Sequence, residues 1–112
     1  MYQKLRRGDV VMIDCGMVVG SEQSGCRPAV VIQNNVGNRY SSTTIVAMVT
    51  SQEKHYLPTH VRIHRGFRMP SCVLLEQIRT ISLKRVKKYL FSLGKADMMR
   101  IDEALKESLS LN

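Results

Sequence analysis

The chain has no tryptophan, only four tyrosines and two phenylalanines, three prolines and nine acidic residues among 112. So few aromatics argue against an extended platform on which successive bases could stack. Three cysteines, Cys15, Cys26 and Cys72, stand far apart without CxxC spacing. That excludes a readable zinc site or disulfide framework and predicts buried thiols in a reducing compartment. No apolar run approaches the roughly 18–20 residues that span a bilayer, and no signal-peptide core follows the basic start, so a cytoplasmic protein is expected. GxSxG, HExxH, Walker and dinucleotide motifs are all missing. The pattern therefore offers no cofactor and no metal site, and any reaction is expected to be metal-free.

Positive charge is what the sequence has in excess. Seventeen Lys plus Arg give a formal net charge of +8, which favours polyanionic partners, nucleic acid first. The length suits one domain, residues 1–112, able to bury roughly 60–70% of its extended-chain surface. Hydrophobic residues at 44% against 23% charged argue against disorder.

Short β-branched runs broken by turn residues predict strands at Val10–Ile13, Ala29–Ile32 and Ile45–Val49. Thr59–His64 alternates, with Val61 and Ile63 on one face and His60, Arg62 and His64 on the other. Ser71–Leu75 and Gln77–Ile81 read as two strands or one bent one, and Ser82 as the cap of a single helical turn before a strand at Val86–Phe91. Gly- and Asn-rich stretches 16–26 and 33–42 read as loops. Met98, Ile101, Ala104, Leu105 and Leu109 recur at helical spacing, predicting a terminal helix over about 96–110. The expected fold is mainly β with a C-terminal helix, a small barrel or strongly twisted antiparallel sheet.

The segment from Lys54 to Leu75 holds four cations, three histidines and no acid, and 84–88 adds four more cations. These are solvated faces or a nucleic-acid track. His55, His60 and His64 crowd one strand and its approach, a poor arrangement for two acid–base groups that must flank one phosphate. Ser21–Arg27 is more informative: a Gly-bounded polar loop delivers Arg27 to the start of a strand, with Pro28 fixing the backbone. A guanidinium held there suits phosphate oxygens and developing charge, or it forms a structural ion pair with Glu22 or Asp14. Thr50 ends the run 45–49 and would bond a phosphate oxygen or cap the strand.

Gly-Asp-Val at 8–10, Val19–Gln23, Gly25, Arg27-Pro28, Val31–Asn34, Gly37–Arg39, Ile45-Val46 leading to Thr50, Leu57–Val61 and Leu74–Ile81 together resemble the MazF/PemK toxins of bacterial type II toxin–antitoxin systems, in the form found in low-GC Gram-positive bacteria. The likeness runs through nearly the whole chain. It implies an SH3-like barrel of the MazF/PemK/CcdB toxin type, paired as a homodimer. It also implies a metal-independent, sequence-specific cut of single-stranded RNA to 2′,3′-cyclic phosphate and 5′-hydroxyl ends. Inhibition by a cognate MazE-like antitoxin with an acidic, flexible tail is implied as well.

Carried over by position, the catalytic arginine falls on Arg27 and the catalytic threonine on Thr50. Ser21, Gln23, Asn34 and Gln77 become candidate base-edge readers, since RNA sequence is read by amides and hydroxyls on splayed bases. Glu22 would act as base, orient Arg27 or touch a nucleotide, and Lys54 and His60 join the RNA-binding set. Cys26 stands where some members carry His before Arg-Pro, so any imidazole role there does not carry over. The connection from Thr50 to Leu57 is about a residue shorter than in close relatives, with Lys54-His55-Tyr56 in place of the usual residues, which leaves the target sequence open. Two rivals remain at this level: a CcdB-like gyrase-binding toxin, weakened by the Trp-free end Glu107–Asn112, and a non-catalytic RNA-binding barrel.

Overall fold

The computed structural model describes residues 4–16, 25–51 and 57–112. Six strands form one antiparallel sheet: β1 (Asp9–Asp14), β2 (Cys26–Val31), β3 (Thr43–Thr50), β4 (His60–Ile63), β5 (Ser71–Ser82) and β6 (Val86–Ser92), in the order β4-β5-β3-β2-β1-β6. Helix α1 (Asn35–Tyr40) links β2 to β3, and α2 (Lys95–Leu109) ends the chain. The mainly-β architecture with a terminal helix is the one that the apolar pattern predicts.

Both faces of the central strands are buried, which is why they read as continuous apolar runs. Val10, Val30, Ala47, Val61 and Leu75 pack with Ile101 and Ala104 of α2, while Val11, Ala29, Val31, Val46 and Ile81 form a second cluster with Leu5 and Ile13. Of the predicted helical stripe, Ile101 and Ala104 are buried, but Leu109 is exposed.

β5 settles the choice between two strands and one bent one. It is continuous, yet its pairing with β3 jumps from Met48↔Leu74 to Ala47↔Ile78, leaving Leu75, Glu76 and Gln77 outside that ladder. Extra residues on one strand bend it and increase its twist. The Ser82 hydroxyl accepts from the Lys84 N–H and caps a 3-10 turn, Leu83–Arg85, as expected.

The stretch 33–42 departs from its reading as a loop, because residues 35–40 are helical. No apolar period announces so short a helix; a polar network fixes it instead. The Thr44 hydroxyl, wholly buried, donates to Asn38 Oδ1 at 2.7 Å, and Asn38 Nδ2 donates to the Gln33 carbonyl at 2.9 Å. Satisfied buried networks of this kind specify one local geometry. Arg7 ties the N-terminal segment to both helices: its guanidinium donates to Asp102 Oδ1 at 2.7 Å and its backbone N–H donates to Asn35 Oδ1 at 2.7 Å.

The cysteines correct another expectation: Cys15 is buried, but Cys26 is exposed and Cys72 half-buried. Cys26 opens β2 at the end of the sheet, where nothing described covers it. No helix among the described residues is long and apolar enough to cross a membrane.

Candidate active site

Gly25, at φ +94°, turns the chain into β2, a conformation that a side chain would strain. Arg27 follows at the strand's second position, half-buried and paired with Ile13 of β1. The β2–β3 ladder ends at Ala29↔Met48, so Arg27 and Thr50 each lie two residues beyond its last pair, at the same end of the sheet. Thr50 in turn pairs with Cys72 and is 7% exposed. The two positions singled out as catalytic, remote in sequence, thus share one end of the sheet.

Beside them the bend in β5 opens a pocket of about 190 Å³ lined by Arg27, Gln77 and Arg79, with Cys15, Met48, Leu74 and Ile78 as its apolar wall. That equals roughly six waters' share of liquid volume, room for a phosphate or one base rather than a stack. The Arg27 side chain has no hydrogen-bond partner among the described residues. The expected pairing with Asp14 does not form: Asp14 Oδ1 accepts from the Gly16 N–H at 2.9 Å, and its carbonyl accepts from Arg85. Two guanidiniums and an amide around one small cavity suit a phosphodiester and a base edge.

Not every candidate converges there. Asn34 lies past the opposite end of β2, its Oδ1 accepting from the Gly37 N–H at 2.7 Å to cap α1. That side chain caps the helix, away from the pocket that Arg27 and Gln77 line. His60 is not on an open face either: it is 8% exposed, and Nε2 lies 2.9 Å from Glu76 Oε2. Strand alternation predicted an outward histidine, but Glu76 at the β5 bend closes over it. His64 is exposed, so no pair of facing imidazoles forms among the described residues. Ser21, Glu22, Gln23, Lys54 and His55 lie outside the described residues. Arg79 is the residue the sequence reading missed as a site residue. Its only signal was a place in the block Leu74–Ile81, because the β5 bend, not any spacing, carries it to Arg27.

Comparison with known proteins gives the family. The sequence model of the PemK-like, MazF-like toxins of type II toxin–antitoxin systems matches residues 6–109. The chain belongs to this family. It is 50% identical over 111 residues to Endoribonuclease EndoA of Bacillus subtilis, covering 96% of each chain. It is 48% identical over 112 residues to Endoribonuclease MazF of Staphylococcus epidermidis, covering 96% of this chain and 93% of that one. A solved endoribonuclease in complex with its cognate antitoxin from a mycobacterial species superposes with a TM-score of 0.83 at 25% identity, over 96% of this chain and 97% of that one. MazF from Deinococcus radiodurans superposes with a TM-score of 0.82 at 22% identity, over 98% of this chain and 100% of that one, a likeness of fold.

Within this MazF-like fold the Glu76 carboxyl, next in sequence to the pocket residue Gln77, is held away from its ordinary value. Burial alone would raise the Glu76 carboxyl, but hydrogen bonds from His60 and Thr59 outweigh it and hold the group below its ordinary value. A carboxyl lowered in the folded state stabilises the fold above its unfolded value, and that stability is lost as pH falls through the folded value. The melting temperature of the parent should therefore exceed that of Glu76→Gln at neutral pH, and the gap should close on acidification through the carboxylate range. Paired thermal melts across that range check this; a gap independent of pH would mean that the charge is not its source.

Proposed function

We propose that the chain, acting as one domain over residues 1–112, is a cytoplasmic endoribonuclease toxin that cuts single-stranded RNA at a short sequence without a metal. The observation that carries this reading is Arg27 lining one pocket with Arg79 and Gln77, at the end of the sheet where Thr50 also lies. Membership of the toxin family and two close relatives named endoribonucleases support it.

The chemistry asks little of the protein beyond position and charge. The substrate's own 2′-oxygen attacks the adjacent phosphorus, the bond to the 5′-oxygen breaks, and a 2′,3′-cyclic phosphate and a 5′-hydroxyl result. The 2′-hydroxyl loses its proton, and the leaving oxygen gains one. Arg27 meets the charge that grows on the non-bridging oxygens, and Thr50 holds one of those oxygens in line for attack. Arg79 grips a flanking phosphate as a second fork. Gln77 reads a base edge at the pocket's rim. Glu22, in the Gly-bounded loop, is the candidate proton acceptor.

The partners follow from the family and the charge: single-stranded RNA, a second copy of the chain, and a cognate MazE-like antitoxin whose acidic, flexible tail is drawn to a surface of net charge +8. A groove of about 1230 Å³ between β4 and α2, with Met99 and Leu111 exposed on its rim, supplies apolar area for such a partner.

The deciding experiment incubates the purified protein with a long unstructured RNA and its DNA equivalent in EDTA and maps the ends by sequencing. Cuts in RNA only, at one sequence and with cyclic phosphate ends, support the enzyme. Intact RNA that is clearly bound would instead make the chain a binding module. Affinity for RNA should also fall steeply with salt, the logarithmic slope growing by about 0.7 for each phosphate neutralised on a single strand. A flat salt response in a filter-binding titration would contradict the placement of RNA beside the arginines.

A further inference from the structure

Glu76 and Gln77 are neighbours at the bend of β5 and face different surroundings. They fall in the three residues that the β3 ladder skips, and on the other side the β4 ladder stops at His60↔Leu74. The Leu75 N–H is the last anchor there, donating to the Thr59 carbonyl at 2.9 Å. Beyond it, side chains hold the bend: Thr59 Oγ1 donates to Glu76 Oε1 at 2.8 Å, and His60 Nε2 lies 2.9 Å from Oε2. The His60 side chain is only 6% exposed, so the carboxylate is fastened to a group that packing immobilises. Successive strand residues point to opposite sides, and Gln77 accordingly lines the pocket with Arg27 and Arg79. Any rotation of the bend that Glu76 no longer restrains swings Gln77 against Arg27.

We propose that Thr59, His60 and Glu76 form a clamp that holds Gln77 beside Arg27, so that Glu76 is a positioning residue for the choice of cleavage sequence. This rests on the endoribonuclease reading given above. The clamp touches no substrate. It acts by fixing where an amide that reads a base stands relative to the guanidinium that holds the phosphate, and a small error between those two groups costs rate and discrimination together.

The test compares the parent with Glu76→Ala, Glu76→Gln and Thr59→Val on RNAs carrying the parent's mapped cut sequence or a single-base change within it. Glu76→Ala should lower kcat/KM at the cut sequence about tenfold and narrow the ratio between that sequence and its single-base variants. Glu76→Gln, which can still bond Thr59 and His60, should keep most of that ratio. A loss of folded protein lowers every cut alike and cannot move a ratio. If Glu76→Ala does not fold, Thr59→Val, which removes one bond of the clamp, should narrow the ratio in the same direction. Folded variants that keep the parent's ratio would overturn the clamp alone, whereas a parent that leaves RNA intact overturns the endoribonuclease reading and the clamp with it.

Discussion

Arg27→Lys should lower RNA cleavage about a hundredfold to a thousandfold, the range found when one donor to a developing oxyanion is removed. Lysine keeps the charge but presents it as a compact ammonium on a flexible stem, without the planar pair of donors that grips two oxygens. The half-buried strand position opposite Ile13 sharpens the difference, because the backbone there is fixed and the shorter head cannot follow the phosphate. Arg27→Ala should be as inactive, yet most binding should survive on Arg79 and the other cations, with the salt slope reduced by about 0.7. Single-turnover cleavage and filter binding on the same RNA separate the two effects. Near-parental rates for Arg27→Lys would remove the arginine from the reaction, and equal losses of binding and cleavage in Arg27→Ala would reduce it to a grip on the substrate.

The largest effect on stability is expected at Gly66. Its φ is +86°, and a Cβ there would lie 2.3 Å from Cε2 and 2.4 Å from Cζ of Phe91. That ring cannot swing aside freely: it packs edge-on against Phe67, centroids 5.0 Å apart at 81°, and against the core beneath α2. Overpacking of this kind costs about 1–3 kcal/mol, and the left-handed backbone adds about 1 kcal/mol. Gly66→Ala should therefore lower the melting temperature by about 10 °C or more. Gly25→Ala is the control, because φ is +94° but nothing lies within 4 Å of its added carbon; it should lose only the backbone part, about 1 kcal/mol. Equal losses at the two sites in thermal melts would show that the Phe91 ring yields.

How much of this could be read in advance differs from residue to residue. The strand runs around Val10, Val30 and Val46 were legible because residues buried on both faces must be apolar throughout. The terminal helix was legible because α2 buries only the stripe containing Ile101 and Ala104. Ser82 announced its own turn. Helix α1 was not legible: six residues carry no period, and the contacts of Asn38 with Thr44 and Gln33 that hold them are tertiary. His60 was misread because alternation describes a strand against one neighbour, and it cannot foresee a carboxylate arriving from the bend of another.

For the site, the sequence by itself determined the chemical inventory: a net positive chain, an arginine delivered by Gly25 and locked by Pro28, a threonine at a strand end, and ordered blocks that identify the toxin family. Only the tertiary structure decided which of these meet. The ladders bring Arg27 and Thr50 to one end of the sheet, and the break in the β3–β5 ladder brings Gln77 and Arg79 to the pocket there. Glu76 bonds His60, and Asn34 separately caps α1. The physical reason is that local propensity acts over a few residues, whereas register and strand bending are fixed by hydrogen bonds and packing between segments far apart in the chain.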